Sequence, residues 1–136
     1  MTAGMPSDTE RRAIEHDCAR LIALYANLSD DGRWEEAAKL FVEHGTLVRP
    51  TAPDHPIVGR QAILAAFKAR PARMARHVYS NVLIDVVGST SANGSSTVLL
   101  FTGAAPPIVG LYHDRFCLAE AGWRFLQRRG SLTFKN

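Results

Sequence analysis

A histidine, an aspartate and a tyrosine are the side chains in this sequence best suited to moving a proton. His77 heads an extended, apolar and β-branched run, Arg76-His77-Val78-Tyr79-Ser80-Asn81-Val82-Leu83-Ile84-Asp85-Val86. Imidazole titrates near neutrality, and a carboxylate bonded to one ring nitrogen fixes its tautomer and steadies the imidazolium. Asp30, far upstream, is the candidate partner. The other ring nitrogen would then be free to take a proton from carbon. A positioned base contributes about 10²–10⁴-fold, so pocket shape and oxyanion stabilisation would supply the rest. Tyr25 could donate a hydrogen bond to the developing oxyanion. Each residue also has a plain reading: Tyr25 as a core tyrosine bonded to a backbone carbonyl, Asp30 as a turn aspartate, His77 as a satisfied edge histidine.

Other chemistries find less support. His16, His44, His55, His77 and His113 never occur at the close paired spacing of a zinc-binding helix, and there is no Cys-x-x-Cys. No Gly-rich loop lies between a strand and a helix, and Ser80 and Ser96 lack a nucleophile elbow. The sequence therefore leads us to expect neither metal nor cofactor. In Tyr112-His113-Asp114-Arg115-Phe116, strand alternation puts Tyr112, Asp114 and Phe116 on one face and His113 with Arg115 on the other. That cluster reads as two faces, with a cross-strand ion pair through Asp114 or Arg115.

The elements that must position these residues follow from periodicity. Ser7-Asp8-Thr9-Glu10 fits a capping box, and Ile14, Cys18, Leu21, Ile22, Tyr25 and Leu28 form one apolar helical stripe behind it. Ser29-Asp30-Asp31-Gly32 ends this helix, with Asp31 the expected cap of the next, whose face is Trp34, Ala37, Ala38 and Phe41. A short strand is expected over Gly45–Arg49, a proline-rich loop from Pro50 to Pro56, and a brief pairing at Ile57-Val58. A third helix opens at Gly59-Arg60-Gln61, buries Ile63, Ala66 and Phe67, and ends before Pro71. Four extended segments follow, Met74–Val87, Ser96–Ala104, Ile108–Ala119 and Trp123–Thr133, with separators short enough for an antiparallel meander. Helices first and a meander afterwards make an α+β arrangement with helices on one face of the sheet.

At 136 residues, 46% hydrophobic and 21% charged, the chain reads as one globular domain with a core of its own. No apolar run reaches the ~20 residues of a membrane span, and Met1 to Ser7 lacks the pattern of a signal peptide, so a cytoplasmic location is expected. Cys18 and Cys117 lie in apolar periodic segments and are expected to be free thiols. A net charge of +3 and a pI near 9.2 are mildly basic. Apart from Arg70, Arg73 and Arg76, and then Arg124, Arg128 and Arg129, the bases are scattered without interleaved aromatics, so no nucleic-acid partner is expected. The basic groups read as a solvated face or as charge near an anionic substrate.

Several motifs in order resemble a known family. Tyr25-x-x-x-x-Asp30, Trp34, Phe41, Gly59-Arg60-x-x-Ile63, His77-x-x-x-Asn81, Gly110-x-Tyr112-x-Asp114-x-Phe116 and Gly122-Trp123-Arg124 are similar to the SnoaL-like branch of the nuclear transport factor 2-like superfamily, over about residues 8–134. The resemblance implies a cystatin-like cone, a curved, mostly antiparallel sheet wrapped round an N-terminal helical layer and enclosing a pocket. It also implies a homodimer or larger assembly through the outer sheet face. Within the superfamily, scytalone dehydratase and the hexachlorocyclohexane dehydrochlorinase pair an aspartate with a histidine, at positions matching Asp30 and His77 here. By that analogy His77 is the base and Asp30 its orienter. Ser29 stands where scytalone dehydratase has a tyrosine, and roughly Thr102 where it has a second histidine, which argues against that enzyme's own substrate. The resulting expectation is a cofactor-independent lyase or isomerase acting on a small, apolar, cyclic molecule. Its catalytic residues would be His77, Asp30 and Tyr25, and its pocket walls Trp34, Phe41, Phe67, Leu99, Phe101 and Tyr112. The alternative is a non-catalytic ligand-binding or assembly module of the same fold.

Overall fold

Ser7 caps the first helix: its hydroxyl accepts from the Glu10 backbone N–H at 3.1 Å, and the Glu10 carboxylate accepts from the Ser7 N–H at 3.2 Å. Two otherwise orphaned donors are satisfied, which sets where the helix begins. The computed structural model describes residues 4–71 and 74–135. In it α1 spans Asp8–Asp30, α2 Trp34–Ala38, β1 Phe41–Val48, β2 Ile57–Val58, α3 Arg60–Lys68, β3 Arg76–Gly88, β4 Ser91–Phe101, β5 Ile108–Ala119 and β6 Gly122–Leu132. Arg73, grouped above with Arg70 and Arg76, lies outside the described residues. No described helix is long and apolar enough to cross a membrane.

The strands form one curved, unclosed sheet of six in the order β2-β1-β6-β5-β4-β3. The β3 to β6 segments make the antiparallel meander, while β1 joins it parallel to β6. Helix α1 packs mainly against β3, with further contact to β6 and β4. Its buried face holds Ile14, Cys18, Leu21, Ile22, Tyr25 and Leu28, the stripe the spacing predicts, together with Ala26 and Ser29.

Two local assignments differ from expectation. Asp31 is the C-cap of α1, and the N-cap of α2 is Arg33, without a side-chain cap bond. Between them Gly32 adopts φ +70°, a left-handed turn that costs glycine little, so the second helix is capped two residues later than expected. Phe41 opens β1 instead of closing the second helix; it pairs with Phe125, and the Arg60 guanidinium donates to its carbonyl at 2.7 and 3.1 Å. The separator expected at Gly88–Gly94 shrinks to a tight turn, because β4 already begins at Ser91 and pairs with Gly88.

Two bulges decide which side chains face inward. In β3 the register shifts between Ser80 and Leu83, with Asn81 at φ 52°. His77 and Tyr79 lean inward before it, and Val82, Ile84 and Val86 after it. In β6 the shift lies opposite Arg115 and Phe116, so Trp123 and Phe125 face inward, followed by Arg128 and Gly130. Gly130 is needed bare: a Cβ there would come within 2.5 Å of the Pro50 ring, which crosses over it.

Arg128 is thus carried into the core, where it is 0% exposed. It donates to Asp114 from Nε at 2.8 Å and Nη2 at 3.2 Å. Its guanidinium lies 4.1 to 5.2 Å from the ring centroids of Tyr25, Tyr79, Tyr112 and Phe125. Those faces are where the buried cation finds further electrostatic support. Burial pushes the Asp114 carboxyl above its ordinary value against the pull of Arg128. Burial also works against the charge on Arg128, but Asp114 and the neighbouring tyrosines together outweigh it and hold the guanidinium protonated.

Breaking such a pair on one side leaves an uncompensated buried charge, at a cost of about 3–5 kcal/mol, whereas apolar replacement of both members is often neutral. Arg128→Met is therefore expected to lose about that much in urea unfolding, and Asp114→Leu combined with Arg128→Met to recover most of it; additive losses would contradict the pairing. The two thiols are free and unlike. Burial, with Asp17 adding, pushes the Cys18 thiol up to about 12, while Cys117 is partly exposed. A thiol reagent at neutral pH should label Cys117 first and Cys18 only on unfolding, followed by mass spectrometry.

Candidate functional site

Asp30 is the last residue of α1, and its side chain is only 1% exposed. A carboxylate is poorly placed there, since the C-terminal end of a helix carries partial negative charge. Its compensation comes from the sheet. The edge strand β3 pairs only with β4, which leaves outward N–H groups along its free side. The N–H of His77 is one of these, and it donates to Asp30 Oδ2 at 2.9 Å. The other oxygen, Oδ1, lies 2.6 Å from His77 Nδ1. Arg76 adds its Nη1 at 3.8 Å from Oδ2, from the surface.

An ionised carboxylate only accepts, so Nδ1 must carry the proton in this pair. The second nitrogen, Nε2, is left without a partner among the described residues. The imidazole is 18% exposed and lies parallel to the Tyr79 ring, with centroids 6.4 Å apart. It therefore has a fixed orientation, a fixed tautomer and an open nitrogen. Those are the attributes of a general base.

His77 and Asp30 line a cavity of about 670 Å³. Val98, Leu100, Ile108, Pro50, Trp34 and Tyr112 give it apolar and aromatic walls. Arg49, Lys68 and Arg70, with Asp31 and Thr51, also line it. This volume suits a small organic molecule. Burial pushes the Tyr112 phenol well above its ordinary value, so it remains a hydrogen-bond donor.

Of the residues expected at the site, His77, Asp30, Trp34 and Tyr112 come together around the cavity. Tyr25 does not line it. Its ring sits edge-on to Phe41, Phe67 and Phe125, and its hydroxyl has no hydrogen-bond partner among the described residues, neither a carbonyl nor the cavity. Phe41 and Phe67 are fully buried in the core, behind the wall. Leu99 and Phe101 alternate to the outer side of β4, because Val98 and Leu100 take the inner positions. Arg49, Pro50, Lys68 and Arg70 also line the cavity but are not among the wall residues expected from the sequence: they stand at or next to element ends, and periodicity carries no signal that such ends meet at one cavity.

Residues 10–129 match the SnoaL-like domain. Among solved structures, a candidate scytalone dehydratase from Novosphingobium aromaticivorans is 27% identical with a TM-score of 0.82, over 94% of this chain and 89% of that one. Rv3472 of Mycobacterium tuberculosis, a protein of unknown function, is 26% identical with a TM-score of 0.75, over 88% and 76%. A type 2 hexachlorocyclohexane dehydrochlorinase shares the fold at 15% identity, with a TM-score of 0.83 over 94% and 90%. No curated protein matches. With the family's domain spanning most of its length and the same fold in its neighbours, the chain belongs to the SnoaL-like family of the nuclear transport factor 2-like fold.

Proposed function

We propose that this protein is a cofactor-independent lyase or isomerase in which His77 Nε2 takes a proton from carbon of a small, largely apolar, cyclic molecule. The observation that carries this reading is the buried Asp30 carboxylate, with one oxygen on the His77 backbone and the other on its ring. A turn aspartate kept only for structure has no need of burial at the unfavourable end of a helix. Here the carboxylate orients the imidazole and stabilises the imidazolium formed on proton transfer. Tyr112, on the cavity wall, takes the donor role first considered for Tyr25 and bonds the oxygen on which charge develops. The neighbours described as a scytalone dehydratase candidate and a dehydrochlorinase are consistent with elimination chemistry in this fold.

A second reading, assembly, has its own support. Val78, Leu83, Val87 and Leu111 stand exposed on the outer sheet face, beside polar residues such as His113 and Arg115. Such a face suits a homodimer or larger assembly formed through the sheet, which is compatible with catalysis inside the cavity.

The test is deuterium exchange or elimination across a panel of cyclic ketones and halides. Replacing His77 by alanine is expected to lower the rate on any turned-over substrate by about 10²–10⁴-fold. Equal rates in wild type and His77→Ala would sink the proposed base.

A further inference from the structure

The charged groups around the cavity are unequally committed. Asp30 is held by His77 and Arg76. Lys68 Nζ is held by Glu35 at 2.8 Å, and the next acid of α2, Glu36, is held by Arg33 at 2.6 Å. Arg49 and Arg70 also line the cavity, and among the described residues neither has an ion pair or a side-chain hydrogen bond. Asp31 is the one lining acid left against them, and it pairs with neither.

Arg70 is nonetheless held in place. Its guanidinium lies 4.8 Å from the Phe67 ring centroid and 5.7 Å from that of Trp34, and Trp34 is itself a wall of the cavity. Stacking on aromatic faces leaves the N–H edge of a guanidinium free to donate. Arg49 directly follows β1 and precedes Pro50, whose ring is packed over Gly130. Both cations therefore stand on anchored backbone or rings. Two guanidiniums without an ion-pair partner, in a cavity that also has apolar and aromatic walls, are suited to a planar anion bound through paired N–H donors.

We propose that the molecule taken by this cavity is an anion, an apolar ring system bearing a carboxylate that Arg49 and Arg70 hold while the ring lies between Trp34 and Tyr112. This rests on the reading of the cavity as the place where a small molecule meets His77, and it narrows that molecule from apolar to amphipathic. Of the two uses open to the basic side chains, a solvated face or charge near an anionic substrate, Arg49 and Arg70 thereby take the second.

The proposal is tested by binding and needs no turnover. Titration calorimetry with 2-naphthoate and with 2-naphthamide compares one ring with and without charge. The carboxylate is expected to bind about tenfold or more tighter, as hydrogen bonds to a charged partner allow. That preference should shrink at high salt and fall to parity in Arg49→Gln/Arg70→Gln, with naphthamide affinity little changed. The single variants Arg49→Gln and Arg70→Gln, each losing part of the preference, give the same reading if the double variant does not fold. Equal affinities in the wild type, tighter binding of the amide, no binding of either, or a preference that survives both substitutions would overturn it. The same titration on His77→Ala separates the two claims: a kept carboxylate preference with no exchange activity in the wild type removes the catalytic reading and leaves the anion site standing.

Discussion

The structure of the site depends on one carboxylate with two donors. Asp30 ends the long helix and is sealed from water, where an ion without partners would be costly. Its oxygens are taken by an edge-strand N–H and by an imidazole nitrogen of the same residue, His77. That residue is thereby fixed at both backbone and ring. The helix end, the free edge of the sheet and the imidazole are coupled in a single contact, and movement of α1 relative to β3 would disturb all three.

The rest of the fold serves that contact at a distance. Packing of α1 on β3 sets the separation, and the bulge at Asn81 allows His77 and Tyr79 to lean toward the helix while Val82, Ile84 and Val86 still do so further along. Beneath the cavity the Asp114–Arg128 pair fills the core with charge where a hydrophobe would serve volume equally well. Its ring of tyrosines includes Tyr112, so the same pair that is expensive to bury also braces a wall of the cavity.

Much of this was legible in the sequence, and what was not has physical causes. The capping box and the stripe from Ile14 to Leu28 specify α1 because both depend on local spacing, and the meander follows from short separators for the same reason. The pairing of Asp30 with His77 came from resemblance and chemistry together, since neither residue lies near the other in the chain. Alternation failed where bulges intervened: counting by twos from Trp123 and Phe125 brings Gln127 and Arg129 inward, whereas the register shift brings Arg128. Parallel pairing of β1 with β6 likewise has no local signal, so the place of Phe41 could not be read. Leu99 and Phe101 are hydrophobic yet lie on the outer side of β4, because hydrophobicity alone does not say which face of a strand turns inward.

The claim that Asp30 holds His77 by Nδ1 and leaves Nε2 open is tested most directly by ¹⁵N NMR of the His77 imidazole in the neutral ring. The account predicts the tautomer with the proton on Nδ1 and a bare Nε2, and loss of that preference in Asp30→Ala. A proton on Nε2 in the wild-type protein would contradict it.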